Sequence, residues 1–248
     1  MNVLKCFPIA LIAFAILAAP SLAQEDGSKT KTTAKENASE THTSEMKGSM
    51  KKDDGGVREA KAMHGTPVID GKIDDIWKAV PALMTDREVE DENSLATGQV
   101  VSQASVKCLW DDGHLYCLAE VKDDKISVGA FEDWAQDSVE FFVDGNMSKG
   151  RFYDDDDAQY RTTAEGVETH GDSANADDYT SKVTKVDGGY IVEACIKLKT
   201  KEGMKIGFDA QVNNDPGTGS RASIAKWNDD TNNTFESLAD VGTLELVK

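Results

Sequence analysis

The side chains best suited to chemistry are concentrated between residues 134 and 161. Trp134 supplies an aromatic ring, Glu140 and Arg161 supply opposite charges, and a run of four carboxylates follows Tyr153. A pyranose packs its C–H face on a flat ring and pairs its hydroxyl groups with carboxylate, amide and guanidinium groups. Carboxylates close together in sequence are also ligands that Ca²⁺ prefers. The stretch therefore indicates a sugar site with a hard cation nearby.

Each of these residues also has a purely structural interpretation. A tryptophan beside a strand is commonly part of the core, and charged or amide side chains on a strand usually face water. The run of acids matches no EF-hand spacing and is also typical of a solvated loop. From the residue types alone, both interpretations stay open.

Catalytic chemistry is less well supported by the sequence. Glycoside hydrolysis needs two carboxylates at a suitable separation, and no pair such as Glu140 with Asp157 stands out among 45 acidic residues. The chain has no Gly-x-Ser-x-Gly nucleophile motif, no phosphate-binding loop and no His-x-x-x-His zinc spacing. The net charge of -18 argues against a nucleic-acid partner, because phosphate binding requires clustered Lys and Arg. We therefore expect a binding protein, not an enzyme.

The N-terminal residues are expected to lie outside the folded domain. Residues 1–23 match a secretory signal peptide, with an apolar stretch too short to span a membrane comfortably and Ser21-Leu22-Ala23 at the cleavage site. Residues 24–60 are rich in Lys, Thr, Ser and Glu and cannot bury enough apolar surface to offset their ordering entropy, so they are predicted to be a disordered linker. Residues 61–248 then form one domain. We expect a secreted protein, extracellular or periplasmic, with no membrane association after signal cleavage.

Short apolar or alternating runs, separated by Gly, Asn and Asp clusters, dominate the predicted domain. This pattern of short runs and turn residues is typical of an all-β protein, and no long segment shows convincing helical periodicity. We expect a single antiparallel β-sandwich that is jelly-roll-like. A helical turn carrying Trp77 is predicted before the first strand. The predicted strands span residues 103–110, 115–123, 138–144, 157–163, 179–186, 189–198, 204–213, 222–227 and 242–247.

Three cysteines remain after removal of the predicted signal peptide. Cys108 and Cys117 flank a predicted hairpin that turns at Asp112-Gly113, which would place their sulfur atoms directly opposite each other. A cross-strand disulfide and two buried thiols are both compatible with this arrangement. Cys195 leaves an odd thiol that is either free or paired with another molecule.

A series of motifs covers nearly all of the predicted domain, at residues 65–77, 109–116, 134–140, 155–161, 188–194, 206–213 and 229–233. One of them runs from Trp134 to Glu140. Taken in order, the series resembles carbohydrate-binding module family 9, the β-sandwich modules attached to secreted xylanases. Any single motif would be weak, whereas the ordered series is specific.

The resemblance implies a non-catalytic domain that holds the reducing end of a β-glucan or xylan chain, or a free sugar, between two aromatic rings. It makes Trp134 one wall and Phe235 the other, at a position where the best-known family pattern has Trp. Phenylalanine offers less area than indole, so the affinity or the preferred sugar is expected to differ. The hydrogen-bonding partners implied by the resemblance are Glu140, Arg161, Gln211 and Asn232.

The resemblance also implies structural Ca²⁺. The candidate ligands are Asp154, Asp155, Asp156 and Asp157. The expected partners are the ends of polysaccharides or oligosaccharides, together with a separate carbohydrate-active enzyme.

Two alternative functions stay open at the level of the sequence. The first is a haem-binding electron-transfer sandwich, which would need an axial ligand such as His64, His114 or His170. The second is a glycoside hydrolase that uses paired carboxylates.

Overall fold

The computed structural model describes residues 56–89 and 102–248. The predicted signal peptide, residues 1–23, lies outside the described residues, as does most of the predicted linker, residues 24–60. The end of that predicted linker belongs to the fold, because strand β1 (Glu59–His64) begins before the expected boundary at Lys61. Strand β1 contains no β-branched residue, and its extended conformation follows from pairing with strands on both sides.

The described residues form thirteen strands and three short 3₁₀ helices. The strands are β1 (Glu59–His64), β2 (Leu83–Met84), β3 (Arg87–Val89), β4 (Gln103–Asp111), β5 (His114–Lys122), β6 (Ser138–Asp144), β7 (Asp157–Thr163), β8 (Glu168–His170), β9 (Tyr179–Val186), β10 (Gly189–Lys197), β11 (Lys205–Asn214), β12 (Ser223–Lys226) and β13 (Gly242–Val247). The 3₁₀ helices are Asp75–Ala79, Asp133–Ala135 and Ala176–Asp178. Within these described ranges, no helix is long and apolar enough to cross a membrane. All nine predicted strands are present, and the structure adds β1, β2, β3 and β8.

The strands belong to one mixed sheet. Ten of them follow the order β8-β7-β6-β11-β13-β1-β4-β5-β10-β9, with β12 paired to β11, β3 to β12 and β2 to β4. Strand β1 runs parallel to both β13 and β4, so the prediction of a wholly antiparallel sheet is wrong at this strand. No hairpin joins β1 to either neighbour, so turn geometry does not impose the antiparallel direction there.

The sheet folds back on itself until its two ends almost meet. On β8, Oε1 of Glu168 accepts hydrogen bonds from the backbone N (2.5 Å) and from Oγ (2.7 Å) of Ser181 on β9. One apolar core joins the two halves, with Cys117 and Ala194 from one half and Phe208 from the other. The all-β prediction is therefore confirmed, as a nearly closed, sandwich-like sheet.

Strand β6 shows how one strand serves two faces of this sheet. Val139, Phe141 and Val143 point into the core, and the side chains between them point to the outer face. Those outward side chains include Glu140 and Phe142. Strands β7 and β11 alternate in the same way, which gives the outer face a set of polar residues.

The predicted hairpin between β4 and β5 has the expected register. It turns at Asp112-Gly113, where Gly113 has a φ of 124°, and Cys108 lies directly opposite Cys117. Among the cysteines that the structure describes, these two are buried free thiols and Cys195 is a half-buried one.

Candidate functional site

A row of polar side chains crosses four neighbouring strands on the outer face. Arg161 on β7 pairs with Glu140 on β6, and Glu140 pairs with Gln211 on β11. Gln211 in turn pairs with Lys226 on β12. Strand pairing therefore assembles residues that are distant in the chain into one continuous site.

Glu140 lies at the centre of this row and is 1% exposed. Burial alone would raise the pKa of its carboxyl, but the Arg161 charge and several hydrogen bonds outweigh burial, so the pKa is lowered. Glu140 is therefore a carboxylate at neutral pH. Its four donors are Nε of Arg161 (2.9 Å), Nε2 of Gln159 (2.5 Å), Nε2 of Gln211 (3.3 Å) and Nδ2 of Asn213 (2.6 Å).

The segment that connects β12 to β13 covers part of this outer face. Phe142 on β6 packs against Leu238 of the segment. Tyr153 packs against the same group and donates its hydroxyl to the carbonyl oxygen of Thr234 (2.8 Å). This cover explains why an outward-facing polar row is buried.

The two predicted aromatic walls lie on separate segments. Trp134 belongs to the 3₁₀ helix Asp133–Ala135 and is 38% exposed. The guanidinium carbon of Arg221 lies 4.9 Å from the centroid of its ring, which supports the indole from one side. Phe235, in the segment between β12 and β13, is 52% exposed. Both side chains therefore retain surface on which a ligand can pack.

A cavity of about 420 Å³ is lined by Trp134 and Phe235 together. This volume is within the range of small-molecule sites, which is about 300–1,000 Å³. All six residues singled out in the sequence lie in its lining, and the structure adds four more. The lining residues are Trp134, Glu140, Phe142, Gln159, Arg161, Gln211, Arg221, Asn232, Thr234 and Phe235.

Two of the additional residues have a signal in the sequence. Gln159 lies two positions before Arg161 on β7, and Phe142 lies two positions after Glu140 on β6. Residues separated by two positions share a face of a strand, so the alternation could have identified both.

The other two have no comparable signal. Arg221 follows an irregular turn and donates to Oδ1 of Asn213 (3.2 Å). Thr234 is distinguished only by its position beside Phe235. Gln136, part of the motif that follows Trp134, instead donates its amide to the carbonyl oxygen of Ala130 (2.9 Å) and so holds the Trp134 loop.

The family model described as "Carbohydrate family 9 binding domain-like" matches residues 69–248. The chain belongs to carbohydrate-binding family 9.

The similar proteins include a xylanase and a carbohydrate-binding module of solved structure. Endo-1,4-beta-xylanase A of Thermotoga neapolitana is 42% identical over 198 residues, which covers 78% of this chain and 18% of the xylanase. The solved structure of a carbohydrate binding module family 9 from Caldicellulosiruptor kristjanssonii in complex with cellotriose has a TM-score of 0.70 and 31% identity, and covers 77% of this chain and 94% of that module. The module from the same organism in complex with glucose matches with a TM-score of 0.70 and 31% identity, over 76% of this chain and 95% of that module. This chain thus spans less than a fifth of the xylanase.

A second polar cluster lies where β6 ends, and it bears on the Ca²⁺ site predicted from the sequence. One carboxylate oxygen from each of Asp144, Asp156 and Asp157 lies within 4.8 Å of the others. This group differs from the predicted run of ligands, because Asp144 joins it while Asp154 and Asp155 are exposed and outside it. Pairing of β6 with β7 places Asp144 opposite Asp157, a contact that sequence proximity does not reveal.

The cluster has the features of a site for a hard cation. Among the described residues, Oδ2 of Asp156 and Oδ1 of Asp157 are buried without a hydrogen-bond partner. Burial raises the pKa of Asp157 to about 6, and the charges of Asp144 and Asp154 add to the shift. A Cβ atom at Gly145 would lie 2.9 Å from Oδ2 of Asp156, so the backbone approaches the carboxylates closely. Clustered carboxylate oxygens of this kind fit Ca²⁺.

Proposed function

We propose that this domain is a non-catalytic carbohydrate-binding module that holds the end of a β-glucan or xylan chain between Trp134 and Phe235. The observation that carries the proposal is one cavity in which two accessible aromatic side chains and the polar row around Glu140 converge. The family 9 modules of similar fold, in complex with glucose and with cellotriose, support the same ligand class.

The aromatic walls account for packing against the sugar ring. Trp134 and Phe235 offer flat surfaces to the C–H faces of a pyranose. Arg161 contributes N–H donors, while the amides of Gln211 and Asn232 supply both donors and acceptors for hydroxyl groups.

Glu140 orients this polar set before a ligand arrives. Its carboxylate accepts hydrogen bonds from Arg161 and from the amide nitrogen of Gln211, so both side chains are held in one orientation. A site that is already ordered loses less conformational entropy on binding. The result is a small polar surface matched to a sugar edge.

Binding is better supported than hydrolysis. Hydrolysis of a glycosidic bond by the usual route requires two carboxylates flanking that bond. Among the described residues, Glu140 is the one carboxylate in the cavity lining, and its oxygens are engaged by four donors. This arrangement favours a structural and binding role for Glu140.

The haem alternative receives no support from the histidines in the described part of the chain. His64 packs edge-on against Trp110, with 4.8 Å between ring centroids. Nδ1 of His114 lies 3.0 Å from Oδ1 of Asp111, and His170 is exposed. None of the three lines the cavity between Trp134 and Phe235.

The preference for a reducing end can be tested with borohydride-reduced oligosaccharides. A cavity of this volume accommodates the end of a chain, not a long run of sugar units, and reduction opens the terminal ring. Reduced cellobiose and xylobiose are therefore expected to bind much more weakly than their parents in calorimetry. Equal affinities would contradict reducing-end recognition, and no binding of either parent sugar would contradict the proposed function.

We further propose that Asp144, Asp156 and Asp157 hold a structural Ca²⁺. The bound cation would offset the repulsion between three carboxylates that lie close together. It would also give a partner to the two carboxylate oxygens that are buried without a hydrogen bond. The chain's own contribution is to place Asp144 at the end of β6 opposite Asp157 at the start of β7, with Asp156 directly before β7. The cation would thereby fasten the turn between these strands, which also carry Glu140 and Arg161.

Removal of Ca²⁺ is expected to lower the Tm of the protein. A ligand that binds only the folded state at 100 times its Kd stabilises that state by about 2.7 kcal/mol. Calorimetric melting in Ca²⁺ and in EDTA measures the difference, which Asp157→Asn should abolish. Asp155→Asn is the matched control, because Asp155 is exposed and outside the cluster. Identical Tm values in Ca²⁺ and EDTA would contradict the assignment.

The location and the partner also remain proposals. We infer export from the signal-like residues 1–23 and from a ligand class that occurs outside cells. A carbohydrate-active enzyme is the partner we propose, because the xylanase relative contains a similar domain within a much longer chain.

A further inference from the structure

A fully buried lysine lies beside the binding site without lining it. Lys226 on β12 is 0% exposed, and its Nζ lies 5.8 Å from the centroid of the Phe142 ring, which lines the cavity. Burial of an ammonium group is costly unless each N–H has a partner. The position of Lys226 therefore requires an explanation.

All three N–H donors of Lys226 have acceptors in the segment between β12 and β13. Nζ donates to the carbonyl oxygen of Thr231 (2.6 Å), to Oδ2 of Asp229 (3.2 Å) and to Oγ1 of Thr234. Oγ1 of Thr234 also contacts Oδ2 of Asp229. One ammonium group thus ties three points of a short segment to strand β12.

Two of these anchor points directly precede the proposed sugar contacts. Thr231 directly precedes Asn232, and Thr234 directly precedes Phe235. Lys226 therefore holds the residue directly before each contact residue, at the backbone carbonyl of Thr231 and at the side-chain hydroxyl of Thr234.

The acids around Lys226 complete the anchor. The carboxylate of Asp209 on β11 accepts hydrogen bonds from the backbone N of Asn228 (3.0 Å) and from the backbone N of Asp229 (2.6 Å). Burial opposes ionisation of Asp229, but the Lys226 charge and further hydrogen bonds leave its pKa lowered. The beginning of the segment is thus fixed by Asp209, and its middle is fixed by Lys226.

We propose that Lys226 is a positioning residue for sugar recognition, which holds Asn232 and Phe235 in place without contacting the ligand. The inference rests on the proposed function of the cavity. Without the ammonium group the segment would have to be ordered by the sugar itself, and that ordering reduces affinity.

The test uses Lys226→Met and the double variant Lys226→Met/Asp229→Asn, in the full chain. Lys226→Met removes the donors at nearly constant volume, and the double variant also removes the carboxylate that Nζ of Lys226 contacts. Calorimetric titration with cellobiose is expected to show about a tenfold loss of affinity in both variants. Lys226→Gln keeps a donor at the buried end and is expected to recover part of that loss.

A control and a second measurement separate positioning from general stability. Lys107 also donates to a backbone carbonyl, that of Trp77 (3.1 Å), but it lies outside the cavity lining. Lys107→Met should therefore leave the affinity for cellobiose unchanged. Amide hydrogen exchange should accelerate in Lys226→Met at Thr231, Asn233 and Glu236, but not in β5 or β10.

The outcomes distinguish this inference from the proposed function. Wild-type protein that binds no sugar would contradict the function, while the exchange data would still decide whether Lys226 anchors the segment. If the wild-type protein binds sugar and the double variant binds it with the same affinity, the positioning role is overturned. If Lys226→Met fails to fold, the double variant and Lys226→Gln decide the question.

Discussion

Trp134→Ala is expected to reduce binding of glucose and cellobiose below detection while the protein stays folded. An aromatic residue that stacks on a ligand at the centre of a site commonly contributes at least about 2 kcal/mol, or about 30-fold in Kd. The effect on folding should be small, because Trp134 is 38% exposed, lies outside the apolar core clusters and packs its ring on Arg221. Loss of that cation–π contact costs about 1 kcal/mol or less. Isothermal titration and thermal melting measure the two quantities separately.

The neighbouring loop offers a matched control for Trp134. Phe131 lies three residues earlier, is 95% exposed and is outside the cavity lining, so Phe131→Ala should leave affinity unchanged. Undiminished binding by Trp134→Ala would remove this residue from the site. An equal loss in both variants would point to a disturbed loop, not a lost stacking surface.

Glu140→Ala is expected to lower the free energy of unfolding by about 3–5 kcal/mol and to eliminate sugar binding. The substitution leaves the Arg161 guanidinium, whose side chain is 14% exposed, without its carboxylate. It also removes a buried acceptor that is shared by the amide nitrogens of Gln159, Gln211 and Asn213. Urea denaturation gives the stability change, and calorimetry gives the affinity.

Two other variants define what this result means. Glu202→Ala breaks an ion pair with Lys248 in which both side chains are more than half exposed, so its effect on stability should be small. Glu140→Gln retains the shape but not the charge and should be less destabilising than Glu140→Ala. Equal stability of Glu140→Ala and Glu202→Ala would show that Glu140 does not organise the site.

The strands that carry the site could be predicted because their patterns are strong. The bounds of β6, β7, β9 and β13 coincide with the predicted residues. In β6 and β11, apolar core residues alternate with polar residues, and this period of two defines both the strand and its outward face. The alternation in the sequence therefore predicts that Glu140 and Gln211 lie on the same face of the sheet.

Other parts of the fold depend on contacts that the sequence does not reveal. The direction of β1 is set by pairing with β4 and β13, since no hairpin constrains it. Asp144 meets Asp157 through the register of β6 and β7. Lys226 is a residue type that normally faces solvent, and its burial depends on acceptors supplied by a later segment.

The parallel placement of β1 has a mechanical consequence. Residues that precede Glu59 enter the fold through an interior strand that is hydrogen-bonded to β13 on one side and to β4 on the other. Tension along that strand would arise if a bound polysaccharide and the N-terminal part of the chain were drawn apart. It would load all of these hydrogen bonds in shear at the same time. A strand at the edge of a sheet, pulled across its axis, would instead detach one bond at a time. The domain is thus built to resist force at the point where its N-terminal segment enters the fold.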